Sequence, residues 1–255
     1  MKKYLIFFIL FFINLFLYPQ EKTNDYIEKR SENIWINWTK GIIYSQYTSI
    51  DNKMDKGQLE KITFENVYHN LILNLLEIYL ESGITLKEAL KNDVEMQKQF
   101  HQIKEKIQIE KKIVYLNKIT YLVSFNFLKY FNKNINFKLE DSIEPNPLPI
   151  EKEKDFSGII IYVPTKNFQP SIRLKLYSNN GKMILYFPVK ENCYFSNDDF
   201  LYKNPKINQP YVIYTEKVIH SNDIIIDQKD IEFLLATKKI FDPDSIKVIL
   251  YDQTK

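Results

Sequence analysis

The sequence holds a single cysteine, Cys193, among 255 residues. One thiol cannot form an internal disulfide, so the fold has to rest on buried apolar surface. Only Lys190 offers a nearby cation to lower its pKa, so Cys193 reads as a quiet, partly buried thiol. Glycine is scarce as well, with five in the chain. That leaves little room for a phosphate-cradling loop, and no Walker A, G-x-S-x-G or dinucleotide-binding glycine pattern occurs. Histidine is limited to His69, His101 and His220, which are dispersed. His69 has no His or Cys partner three or four residues on, so no zinc spacing exists, and Glu65 beside it has the spacing of a helix-surface pair. The acidic groups Asp198-Asp199 and Asp242-Pro243-Asp244 lack the alternating ligands and glycine of a calcium loop. The expectation is a protein without catalytic residues, cofactor or metal, and not an enzyme. Charge of one sign is also missing. The net charge of +3 falls to +1 without Lys2 and Lys3, which excludes a dedicated nucleic-acid binder.

What the chain does contain begins at its N-terminus. Lys2 and Lys3 precede an apolar run, Tyr4 to Tyr18, interrupted only by Asn14. Its length suits the apolar region of a secretory signal and falls short of the about 20 residues of a spanning helix. Residues 1–20 are expected to be a signal peptide cleaved after Gln20. Leu17-Tyr18-Pro19-Gln20 is not A-x-A-like, however, and an uncleaved inner-membrane anchor is the competing reading. Export points to the periplasm. Hydrophobic residues at 45% and charged ones at 26% are ordinary for a globular chain.

The expected class is α+β: two small α/β subdomains with helices packed on mixed or antiparallel sheets. The first, residues 21–140, starts with a strand over Ile34–Tyr44 that carries Trp35 and Trp38. These two read as core or sheet-face aromatics, with a ligand-stacking platform as the alternative. Gln58 to Ser82 has apolar residues at the helical period and Gly83 placed to end the helix. Thr85-Leu86-Lys87-Glu88 has the spacing of a capping box. A second helical segment follows, interrupted around Asn92-Asp93. A hairpin over Lys112–Leu128 has its turn near Asn117-Lys118.

Residues 141–155 contain three prolines and a charge run, which mark a linker. The second subdomain, 156–255, centres on Phe156–Phe187. There the β-branched run Ile159-Ile160-Ile161-Tyr162-Val163 is followed by Ile172, Leu174 and Leu176 alternating with Arg173 and Lys175. Asn179-Asn180-Gly181 makes the hairpin turn, and Lys182 to Phe187 returns. Strands over Tyr211–Tyr214, Glu216–Ile219 and Asp223–Ile226, a helix capped by Asp227, and a last strand over Ser245–Leu250 complete the chain.

Ser157-Gly158-Ile159-Ile160-Ile161, Gln169-Pro170-Ser171 and Asn180-Gly181-Lys182 resemble a repeated motif of certain bacterial envelope proteins. That family includes a twenty-kilodalton membrane-associated lipoprotein and the flagellar accessory protein FlgP. Asn70-Leu71-Ile72, Ile84-Thr85-Leu86-Lys87-Glu88 and Ile113-Val114-Tyr115-Leu116 fall in the same order as in its pattern. There are two departures. No Cys follows the apolar N-terminal run, so lipid attachment is not available. Tyr162-Val163-Pro164-Thr165 stands where the family has an Asp-Ala-Arg-Gly-like turn. The resemblance implies envelope or flagellar protein partners and peripheral membrane association, with a docking or assembly role in the periplasm. A small-ligand binding module and a divergent periplasmic hydrolase are the alternatives. Tyr44, Tyr162 and Phe168 are the candidate contact residues.

Overall fold

The computed structural model describes residues 25–133, 135, 138–139, 157–196, 209–236 and 243–252. The expected signal segment 1–20, the linker 141–155, and Asp198, Asp199 and Asp242 lie outside these residues. The class is α+β.

The first half is built on an antiparallel sheet. Its strands are β1 (Ile27–Ser31), β2 (Ile34–Asn37), β3 (Ile42–Ile50), β6 (Gln108–Tyr115) and β7 (Lys118–Asn126), in the spatial order β1-β2-β3-β7-β6. One face is covered by helix α1 (Lys56–Leu76), whose residues Leu59, Thr63, Val67, Leu71 and Leu75 form a buried i, i+4 stripe. The Asp55 carboxylate starts the helix by accepting from the Gly57 and Gln58 amides. The stripe meets Ile36, Ile43, Tyr121, Val123 and Phe125 of the sheet in one buried cluster. Ser45 Oγ donates to the Val67 carbonyl at 3.1 Å, which fixes the helix against β3.

Two boundaries differ from the sequence expectation. Ile34–Tyr44 is two strands, because Trp38 leaves the sheet plane to enter the core (1% exposed) and the chain turns through Gly41 at φ 67°. A Cβ on Gly41 would lie 2.6 Å from Leu128 Cβ, so the turn accepts only glycine without rearrangement. Helix α1 stops at Leu76, six residues short of the expected Ser82. Ile78 drops into the core and β4 (Tyr79–Glu81) pairs with β5 (Ile84–Thr85), so Ser82 (φ 47°) and Gly83 (φ 75°) form a hairpin turn and not a helix cap. The capping box is present at the start of α2 (Leu86–Ala89): Glu88 Oε2 accepts from the Thr85 amide and Thr85 Oγ1 from the Glu88 amide. Helix α3 (Val94–His101) follows the interruption, capped by Asp93, and the short α4 (Phe127–Phe131) follows β7.

The second half contains two sheets. β9 (Gly158–Pro164) lies inside a wholly parallel sheet, ordered β12 (Tyr194–Phe195), β16 (Ile246–Tyr251), β9, β13 (Pro210–Tyr214). A parallel sheet is normally covered on both faces, which accounts for the unbroken apolar run at Ile159–Ile161. The second sheet is mixed. β10 (Arg173–Ser178) and β11 (Met183–Pro188) form the expected hairpin, with Gly181 at φ 80° in its turn. β15 (Asp223–Ile226) adds parallel to β10, β14 (Lys217–Ile219) adds beyond it, and β8 (Lys138–Leu139) pairs with β11. Helix α5 (Gln228–Ala236) begins just after Asp227, whose carbonyl accepts from the Asp230 and Ile231 amides at 3.1 Å each.

Buried residues of both halves belong to one cluster, from Ile36 to Leu250. At the junction Trp38 stacks edge-on against Phe127 (5.2 Å) and Tyr194 (5.8 Å), one ring from each half. The Asn192 amide donates to the Thr39 carbonyl at 2.6 Å, and the Ile172 amide to the Tyr79 carbonyl at 3.0 Å.

Candidate interaction surface

Strand alternation sends every second residue of the antiparallel sheet away from α1. Register places these residues in four rows. Trp35, Tyr44 and Ser124 lie side by side, followed by Gln46, Leu122 and Lys111, then Thr48, Thr120 and Ile113, and finally Ile50, Lys118 and Tyr115. Helix α1 packs on the opposite face, against β2, β3 and β7. A solvated face of an antiparallel sheet is ordinarily polar, yet this one carries Trp35, Tyr44, Leu122, Ile113, Ile50 and Tyr115.

At one end, the Trp35 and Tyr44 rings stack at 5.3 Å and 11°, both half-buried. Such a pair offers broad flat apolar area with little side-chain entropy left to lose. Burial raises the Tyr44 hydroxyl pKa, and the carboxylates of Glu110 and Asp25 raise it further. Asp25 is held by Asn37 Nδ2 at 2.8 Å and by Lys40 at 3.6 Å. Glu110 sits at a register shift in β6 and accepts from Ser124 Oγ at 2.5 Å. The aromatic end is thus rimmed by fixed polar groups, the arrangement of an interface core with a polar edge.

The three candidate residues have different fates. Tyr44 is on this face. Tyr162 is half-buried on the parallel sheet, stacked on Tyr214 at 5.2 Å and 17°, with Ile160, Ile249 and Phe195 in a small buried cluster beside it. Tyr214 is 66% exposed, so this second stack also reaches the surface. Phe168 is a correction. It is 2% exposed and packs in the core near Tyr194, because the turn over Thr165–Asn167 folds it inward and the Gln169 amide is fixed to the Ser221 carbonyl. It offers no contact surface. The two tryptophans also separate: Trp38 is core, with Nε1 donating to Glu28 at 2.8 Å, so they form no joint stacking platform.

The sequence reading missed the other end of the open face. The β6–β7 turn lies one residue earlier than expected, at Leu116-Asn117, and Leu116 takes φ 50°. Leu116 is 79% exposed, Tyr115 68% and Ile50 66%. The signal was present as a Tyr-Leu pair directly before Asn117, but those residues read equally well as the end of a strand.

The reactive side chains elsewhere do not converge on one another. His220 Nδ1 lies 3.1 Å from Asp223 Oδ2, and neither His69 nor His101 joins it. Burial pushes the Cys193 thiol pKa up to about 12. Glu81 binds Lys175 at 3.2 Å and Arg173 at 3.4 Å where the halves meet, and it accepts from Tyr186 OH. Burial works to raise the Glu81 pKa, but the two cations outweigh it and hold the carboxyl below its ordinary value. Among the described residues no group of three or more His, Cys, Asp or Glu could hold a metal, and no helix is long and apolar enough to cross a membrane. No family model matches the chain, and no curated protein matches it.

Proposed function

We propose that the protein is a noncatalytic docking or assembly factor of the bacterial envelope, exported to the periplasm. It would act by presenting the Trp35–Tyr44 end of the open sheet face to an envelope protein, with flagellar components among the partners that the family resemblance implies. The observation that carries this reading is the stacked, half-exposed Trp35–Tyr44 pair on a face that a solvated sheet would fill with polar residues. Basic and apolar regions at the N-terminus, in the order of a secretory signal, support export. The envelope and flagellar assignment draws on the ordered motifs quoted above.

Affinity purification from solubilised envelopes tests the proposal, using the wild type and a Trp35→Ser/Tyr44→Ser variant. The expected result is a stoichiometric protein partner that the variant loses by about tenfold or more while keeping its melting temperature, as hot-spot aromatics do. Equal recovery by both, or a purified protein that turns over a substrate, would overturn it.

A further inference from the structure

We infer that the apex of the β6–β7 hairpin, together with Ile50 at the end of β3, seats in the headgroup layer of an anionic phospholipid membrane. This inference stands apart from the protein-docking reading, because the apex occupies the opposite end of the open face from Trp35 and Tyr44.

The first observation is the backbone of Leu116. A branched side chain at φ 50° sits in the left-handed region that L-residues avoid. Its side chain is 79% exposed, so the isolated chain gains almost no burial from it. Backbone and side chain are therefore both unfavourable in water, at a turn position where Asn or Gly would fit without strain. An outlier of this kind points to a contact made outside the chain.

The second observation is what surrounds it. Ile50 and Tyr115 both pair with Lys118, from either side, so the three side chains share the sheet face at its end, with Leu116 just beyond. The Asp51 amide donates to the Asn117 carbonyl at 3.1 Å, which draws the 51–53 loop and Lys53 up beside the tip. The result is an exposed apolar hairpin end made of Ile50, Tyr115 and Leu116, with Lys118 in its last row and Lys53 on the adjoining loop.

The third observation is charge. Neighbouring carboxylates bind groups other than the Lys53 and Lys118 ammoniums: Asp51 accepts from the Lys53 and Met54 amides, Asp55 from the Gly57 and Gln58 amides, and Glu60 from Lys112 and Tyr121. Lys53, Lys111 and Lys118 make no ion pair among the described residues. Free ammonium groups behind a protruding apolar tip match a surface with negative charge outside and hydrocarbon beneath. Tyr belongs at that boundary, and Lys can lay its stem along the apolar tip while its charge meets phosphate. An exposed hairpin apex favours a deformable lipid surface over a rigid partner, which would need a preformed pocket of matching shape.

The test uses the full chain with an environment-sensitive dye on a cysteine introduced by Asn117→Cys. Native Cys193 is buried and its thiol strongly protonated, so the label is confined to the apex. A parallel label at Asn179→Cys, in the exposed β10–β11 turn, reports association that does not involve the apex. The expected result is a blue shift of the apex label with phosphatidylcholine–phosphatidylglycerol vesicles, weakened by salt and by Lys53→Gln/Lys118→Gln, and no shift at Asn179→Cys. Adding Leu116→Gly should weaken the apex response about tenfold, by removing apolar surface of one large side chain, without lowering the melting temperature. Trp35→Ser should leave the shift unchanged. Three outcomes would overturn the inference: no apex shift on anionic vesicles, an equal shift after Leu116→Gly, or apex photocrosslinks to a protein with no response to vesicles.

Discussion

The antiparallel sheet of the first half and the parallel sheet of the second bury their strands in opposite ways. In β9 five of the seven residues from Gly158 to Pro164 are buried, and only Tyr162 and Pro164 are half-buried, while the central strand β3 begins with alternating buried and half-buried positions and ends exposed at Ile50. A parallel strand is hidden on both faces, so its apolar residues serve the core. An antiparallel strand with one helix-covered face leaves its other face free, and apolar residues there need a different explanation. The same residue types therefore serve the core in one sheet and, under the proposed function, contact in the other.

That contrast can be broken most strongly by matched truncations. Ile161→Ala removes a fully buried side chain of β9 and should cost about 3–4 kcal/mol. Leu122→Ala on the open face should change stability by no more than about 0.5 kcal/mol. Urea denaturation of both variants checks the pair, and comparable losses would show that the open face is part of the core.

Gly41→Ala should have the next largest effect, about 2 kcal/mol or more, since it combines a left-handed backbone with a Cβ driven into Leu128. The turn at Gly41 is what sends Trp38 inward while Trp35 stays on the surface. A loss of near-ultraviolet circular dichroism from Trp38 with the Trp35 signal unchanged would sharpen that division.

Glu81 sharpens the comparison through pH. Its folded-state pKa is depressed, so its contribution to stability is present above the unfolded-state value of about 4.3 and is lost as pH falls through the lower folded value. Glu81→Gln should therefore be destabilised relative to wild type at pH 7, and the gap should close in acid. Urea midpoints at several pH values measure it, and a gap that stays constant down to pH 2 would contradict the assignment. The last expected effect is small and of opposite sign. Leu116→Gly should raise stability by about 0.5–1 kcal/mol by relieving the left-handed strain at an exposed position.

Local patterns were sufficient to recognise β9 from its β-branched run, the β10–β11 hairpin from alternation, α1 from helical spacing and the Thr85–Glu88 capping box from its own spacing, because each depends on neighbours within a few residues. The end of α1 was not legible. Ile78 and Tyr79 continue the helical spacing, and what turns them aside is the local β4–β5 hairpin together with a distant partner, the Ile172 amide, which donates to the Tyr79 carbonyl. Trp35 and Trp38 likewise look equivalent in a strand reading, and it is the Gly41 turn that divides them between surface and core. Of the contact candidates, Tyr44 follows from alternation within β3. Phe168 lies outside any periodic element, where hydrophobicity alone cannot tell an exposed side chain from one folded inward. Leu116 was hidden for the complementary reason: a leucine at the end of an apolar strand gives no sign of a positive φ.

The most direct test of the open face as a contact surface is photocrosslinking in the native envelope, with a benzophenone amino acid replacing Tyr44 in the full-length protein. One defined protein adduct is expected at Tyr44, absent when the same group replaces Asn179 on the opposite half. Adducts of equal yield at both positions, or none at Tyr44, would contradict it.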